Sequence, residues 1–347
     1  MSDAEKIVGY STSYFSLRCL LSDEISNVAL HLSKLNGTNH PLLETAKRLT
    51  YNGHSVMQTR GLLVLLISKA AGLNPSASDY HDSRKLAGIS QRQRFLAEIT
   101  EMIYSAHLIH RGILNLQPHL LLHSKIDQDL HFGNKMSVLS GDFLLASVWK
   151  GLGELRDTKV VELMATAIGD FMEGQFVIET ESVNPEEIKA NYWEERNFLR
   201  IGSLQANSCQ SALALAGHDE DIQLKAYQFG KHFALSWQAF TEMQPYNRPF
   251  MHSSNNASIY DLMSAPVLLH TEHTGDSLAC IRKTDSEGKT HIDYRKLHSI
   301  ISKGKGIEKT RELIDRHTTE ALDAIKQFPA IDACNALMNI VFAVREQ

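Results

Sequence analysis

The chain of 347 residues is short of the features that announce most activities. Its four cysteines, Cys19, Cys209, Cys280 and Cys334, lie far apart and form no CxxC pair. Zinc-ribbon and thioredoxin-type chemistry are excluded, and a reducing compartment fits. No apolar run approaches the roughly 20 residues a membrane-crossing helix needs; the strongest, Leu62 to Ile67, is far shorter. Lys+Arg number 35 against Asp+Glu 40, for a net charge of -5, and no basic block is present. A phosphate-tracking stripe, and with it a nucleic-acid partner, is therefore not expected. The first residues, MSDAEKIVGY, show neither a signal-peptide apolar core nor an Arg-rich transit stretch. Sequence signatures of catalysis are missing too: HExxH, GxSxG and a P-loop are absent. The glycine-lysine cluster Lys303-Gly304-Lys305-Gly306 lacks P-loop spacing and reads as a solvated helix start.

What is present is a globular composition, 43% hydrophobic and 22% charged. Apolar residues recur every three or four positions and strand-type alternation is scarce, which predicts an all-α fold. The pattern places helices over Ile25 to Leu35, Gly61 to Ala71, Arg94 to Ile113, Gly133 to Leu152, Thr158 to Phe176, Trp193 to Ala216, Ile222 to Phe240, Ile307 to Phe328 and Ile331 to Arg345. Turn chemistry separates them at Asn36-Gly37, Asn74-Pro75-Ser76, around Pro118, at Asn184-Pro185, across Pro245 to Asn256 and across Asp285 to Lys289. No composition shift or repeat divides the chain, so one domain over residues 1–347 is expected, with residues 1–40 as a helical extension.

Several residue groups are candidates for chemistry. His107 and His110, His119 and His123, and His270 and His273 sit at spacings that share a helix face and so could present paired imidazoles to a metal. Carboxylates do not accompany them at recognisable spacing, which favours scattered structural histidines. Asp219-Glu220-Asp221 reads as a helix start complementing the dipole; Glu194 and Glu195 read as a solvated face. Composition and spacing by themselves leave function undetermined.

A set of ordered segments carries more. Glu101 to His110, His131 to Lys135, Val138 to Ala146, Gly230 to Phe240 with Trp237-Gln238, Ser264-Ala265-Pro266 and Ala321 to Arg345 together resemble the trans-prenyltransferase family, the head-to-tail isoprenyl diphosphate synthases. The resemblance implies an isoprenoid-synthase bundle of long helices around a central cavity, with two aspartate-rich motifs across its mouth. Those motifs are degenerate. Where the family's first motif places aspartates, this chain has Arg111, Gly112 and Asn115; where the second does, it has Thr241, Glu242 and Pro245. The diphosphate-gripping stretch corresponds to Val56 to Gly61 and keeps Arg60, and the family's lysine-threonine step is Arg200-Ile201. Asp142 and Gln238 match family positions near the cavity; Trp237 reads as core and Lys135 as a buried or capping cation.

Aspartates at those positions hold Mg²⁺ on a substrate diphosphate, and a guanidinium, a glycine and an amide supply no anion. The resemblance is best to non-catalytic subunits of heteromeric trans-polyprenyl diphosphate synthases, on segments such as Ala4 to Tyr10, Ser16 to Glu24, Thr59 to Gly72 and Asn339 to Val344. It implies a chain that binds no cofactor itself, joined as a heterodimer or heterotetramer to a catalytic subunit that carries Mg²⁺. The complex would make the ubiquinone side chain, in mitochondria. A self-sufficient divergent prenyltransferase using Arg111, Asp142 and Glu242, and an all-helical histidine-metal hydrolase, are the alternatives.

Overall fold

The computed structural model describes residues 6–8, 59–72, 74, 88–115, 125–176, 190–251, 259–275, 278–284 and 290–345. The expected helix at Ile25 to Leu35, the turns at Asn36-Gly37, Pro118 and Asn184-Pro185, and His119 and His123 lie outside them. The regular elements among the described residues are helices apart from one short hairpin, and the chain divides into two compact units.

The first unit comprises Met1–Ala165, Ser208–Gln223 and Phe328–Leu337. Its helix α1 (Thr59–Ala71) buries Leu62 through Ile67 on every side, as an element apolar all round must. Gly72, with φ 71°, ends it in the left-handed conformation that favours glycine. Helix α2 (Gln91–His110) opens with a capping box: Ser90 Oγ accepts from the Gln93 N–H and Gln93 Oε1 from the Ser90 N–H. Helix α3 (Lys125–Leu155) packs along α2, and Asp157 caps α4 (Thr158–Phe176) by accepting from the Val160 N–H. The part of α6 (Ser203–Leu215) that lies in this unit receives α2 through two buried polar links. Gln93 Nε2 donates to Ala212 O at 2.9 Å, and Thr100 Oγ1 to Ser208 Oγ at 3.0 Å.

The second unit comprises Thr166–Asn207, Leu224–Gln327 and Met338–Gln347. Here α5 (Ala190–Asn197) runs through a π-helical turn, Phe198–Gly202, before α6 begins. Beside it lies α7 (Glu220–Met243), followed by a 3₁₀ turn Gln244–Asn247 and α8 (Ala265–Thr274). A hairpin of β1 (Arg282–Thr284) and β2 (Thr290–Ile292) pairs antiparallel and leads into α9 (Tyr294–Lys303) and α10 (Lys305–Ile325). The last helix is α11 (Ile331–Arg345). A core of Tyr246, Tyr260, Val267, Leu278, Leu297 and Ile301 sits between α8, α9 and the segments before the hairpin.

Several sequence expectations need correction. The helix expected to reach Ile113 stops at His110, because Arg111 caps it and the following N–H groups turn back: Gly112 to Ile109 O and Ile113 to His110 O. The helix expected from Trp193 to Ala216 is broken by the π turn. The hairpin flanking residues 285–289, and helices α8 and α9, have no counterpart among the expected elements; ten-residue helices give little periodicity to read. Asp219 to Asp221 does open a helix, α7. Of the cluster Lys303 to Gly306, Lys303 ends α9 and only Lys305-Gly306 opens a helix, α10; that start is not fully solvated, since a Cβ on Gly306 would lie 2.2 Å from Pro266 O. Lys135 is neither buried nor capping; it is exposed in mid-helix on α3.

Candidate functional site

The positions expected for the first motif follow α2 in the first unit. Arg111 is exposed, Gly112 buried and Asn115 exposed. They therefore leave the helix instead of sharing one of its edges. The segment beyond is held from α3: Asn134 donates from Nδ2 to Leu114 O at 2.7 Å and accepts the Leu114 N–H at 2.8 Å. His110, the last residue of α2, reaches over α3, with Nε2 3.3 Å from Asp142 Oδ1 and 3.3 Å from Val138 O. That approach requires Gly141, where a Cβ would sit 2.1 Å from the His110 ring. Asp142 is 62% exposed and pairs with His110.

Arg60 and Glu101 form a second polar group in the same unit. The Arg60 guanidinium lies 3.5 Å from the centroid of the Tyr104 ring, a cation–π arrangement. The Glu101 carboxylate accepts the Gly61 N–H at 2.7 Å, so α2 supplies a cap to the start of α1. Burial pushes the Glu101 carboxyl up to about 7, against the lowering effect of the Gly61 N–H and the Arg60 charge. Its neighbours on that helix face include Glu98, Tyr104 and Ser105, which are polar too, so no local signal in the sequence singles it out.

The positions expected for the second motif lie in the second unit at the end of α7. Thr241 is exposed and donates to Trp237 O at 2.8 Å. Pro245 stands in the 3₁₀ turn. Glu242 accepts three hydrogen bonds on its carboxylate: Trp193 Nε1 at 2.7 Å, Gln238 Nε2 at 2.7 Å and the Ala265 N–H at 2.8 Å. Its carboxyl is raised above the usual range, first by burial, with those three donors opposing the shift. Gln238 is thus a partner of Glu242, and Trp237 is half-buried between the Phe233 and Phe240 rings. Arg200 sits half-buried in the π turn, where a Cβ on Gly174 would come 2.9 Å from its Cγ.

The histidine pairs chosen by spacing do not converge. His107 is buried while His110 turns to α3; His270 packs against Gly304 while His273 bonds Leu269 O. What the fold brings together is His232 of α7 and His317 of α10, whose Nδ1 atoms are 2.9 Å apart. Glu194 is not simply solvated: it pairs with Arg316 and lies 3.8 Å from His317 Nε2, beside a cleft of about 390 Å³ that Lys231 and Phe198 also line. Among the described residues no three histidine, cysteine or acidic side chains form a group able to hold a metal.

Mg²⁺ takes hard oxygen ligands with free lone pairs. Arg111, Gly112 and Pro245 offer no side-chain oxygen, Asn115 offers a single neutral amide oxygen, the Thr241 hydroxyl is turned to its own helix, and the Glu242 carboxylate already accepts three donors. The residues present at the two expected motif positions do not fit a magnesium site.

The chain belongs to the polyprenyl synthetase family, whose model matches residues 119–241. It is 45% identical over 350 residues to the human protein named all trans-polyprenyl-diphosphate synthase PDSS2, a match covering 99% of this chain and 86% of that one. A Neurospora crassa protein named probable hexaprenyl pyrophosphate synthase, mitochondrial, is 29% identical over 367 residues, covering 92% of this chain and 79% of its own. Among solved structures, heptaprenyl diphosphate synthase from Staphylococcus aureus matches with a TM-score of 0.68 at 16% identity, covering 100% of this chain and 98% of that one. The apo Arabidopsis medium/long-chain length prenyl pyrophosphate synthase matches with a TM-score of 0.63 at 24% identity, covering 94% and 98%. At those identities the structures show a common fold.

Proposed function

We propose that the chain is a subunit of a heteromeric trans-polyprenyl diphosphate synthase that makes the isoprenoid side chain of ubiquinone, and that its own part is non-catalytic. The observation that carries this is the first motif: an exposed guanidinium, a glycine and an amide follow the end of α2 where a metal-binding motif needs carboxylates. Ionising an allylic diphosphate needs stabilisation of the leaving group worth several kcal/mol of barrier, and each ~1.4 kcal/mol lost is a tenfold loss in rate. A chain so altered contributes through association with a catalytic subunit that holds both motifs and the Mg²⁺. The family assignment and the 45% identity to the human protein support this reading. Mitochondrial relatives support the same compartment for this chain.

Co-expression with catalytic polyprenyl diphosphate synthases, followed by purification and assay of each chain and of the mixture, tests it. Co-purification, with elongation of an allylic diphosphate by isopentenyl diphosphate in the complex and none by this chain alone, is the expected result. Robust elongation by the purified chain alone would overturn it.

A further inference from the structure

The mismatch at the second motif goes further than a missing ligand, because its one remaining carboxylate has acquired other work. Helix α8 begins without a cap of its own. Ser264, at the N-cap position, makes no side-chain capping bond, and Pro266 in the first turn has no N–H. The Ala265 N–H is satisfied from another helix, by Glu242 at 2.8 Å. A carboxylate at a helix N-terminus is favoured by both the free N–H groups and the dipole. The same carboxylate takes the Trp193 indole of α5 and is steadied one turn earlier on α7 by Gln238. The residues leading into α8 are also held from α5. Arg196, buried, pairs with Asp261 at 3.3 Å and donates to Met263 O at 3.4 Å.

We propose that Glu242 is a positioning residue: its carboxylate ties the end of α7 to Trp193 of α5 and caps α8, and it stays with those partners when Mg²⁺ is present. A metal would have to strip three donors from a half-buried carboxylate. An indole N–H and a helix amide would then be left without acceptors, each bearing the full desolvation cost of an unpaired buried donor. The proposal deepens the non-catalytic reading of this site and rests on it.

The test uses the full chain with ¹⁵N-labelled tryptophan, which gives indole signals for Trp149, Trp193 and Trp237; Trp193→Phe assigns the one of interest. The Trp193 indole signal is expected to titrate with a carboxyl above the ordinary range and to ignore Mg²⁺ and inorganic pyrophosphate. Glu242→Gln, which keeps an acceptor, should abolish that titration while leaving the Trp149 and Trp237 signals in place. Glu242→Ala should lower the melting temperature, with the conservative variant recovering most of the loss. Persistence of the indole titration in Glu242→Gln, or a Mg²⁺-induced shift of the Trp193 signal that Glu242→Gln removes, would overturn the proposal. Neither result bears on whether the chain elongates substrate alone, so this inference and the subunit reading fail separately.

Discussion

A buried carboxyl and a histidine pair give opposite pH signatures, and each is separable by a single substitution. Glu101 carries a folded-state value of about 7 against an ordinary 4.5. The native chain therefore holds a proton that the unfolded chain releases between those values. Its contribution is fully present below about pH 4.5 and is lost as pH rises through about 7, a change on the order of 3 kcal/mol. Glu101→Gln keeps an acceptor for the Gly61 N–H and cannot ionise, so denaturation midpoints of the variant should vary less between pH 5 and about pH 8. Equal slopes for variant and parent would refute the assignment. The His232–His317 pair runs the other way. Burial is the first cause that holds the two imidazoles down, at about 4 and about 3, and neighbouring positive charge from Lys231 and Arg316 adds to it. Stability from this pair is present above the ordinary 6.5 and is lost as pH falls toward 4. Replacing the buried partner, His317→Phe, should make stability less sensitive to acid below pH 6.5; a steeper acid loss in the variant would contradict this.

Between elements, glycines decide how closely helices approach. Gly230 of α7 faces the backbone of α6: a Cβ there would lie 2.6 Å from Gln205 O and 2.9 Å from Ala206 Cα. Neither atom can move without the helix, so Gly230→Ala should cost about 1–3 kcal/mol through overpacking. Gly169, inside α4, has open space on that side: a Cβ there would meet nothing within 4 Å. Gly169→Ala should raise stability by about 0.5–1 kcal/mol, because helical Gly is entropically costly. Thermal melts of the two variants in parallel provide the check. Movement of both in the same direction would mean that the α6–α7 approach does not set the cost. The break at Phe198–Gly202 follows similar reasoning, since a π turn is a local response to packing that no residue pattern in the segment announces.

For the whole molecule, the prediction concerns repair of the first motif. Placing Asp at 111, 112 and 115 in this chain should not produce Mg²⁺-dependent turnover. Those positions lie beyond the end of α2 and share no helix edge, and Glu242 remains committed to Trp193, Gln238 and Ala265. Incorporation of isopentenyl diphosphate by the triple variant, assayed without a partner chain, is the measurement. Activity near that of a catalytic subunit would mean that the first motif was the sole defect.

Read alone, the sequence determined the helical class and the family, and the resemblance supplied the residues expected at the two motif positions. Helix periodicity and motif order are properties of short stretches, so α4 and α11 were legible to the residue, and the expectation that Arg111, Gly112 and Asn115 stand in place of aspartates needed no coordinates. Tertiary structure decided what the surviving groups do. Glu242 meets Trp193 across 49 positions and Ala265 across 23, and His232 meets His317 across 85. Whether a carboxylate is a ligand or a cap depends on which donors other helices bring to it, and packing sets that over distances that local pattern does not span.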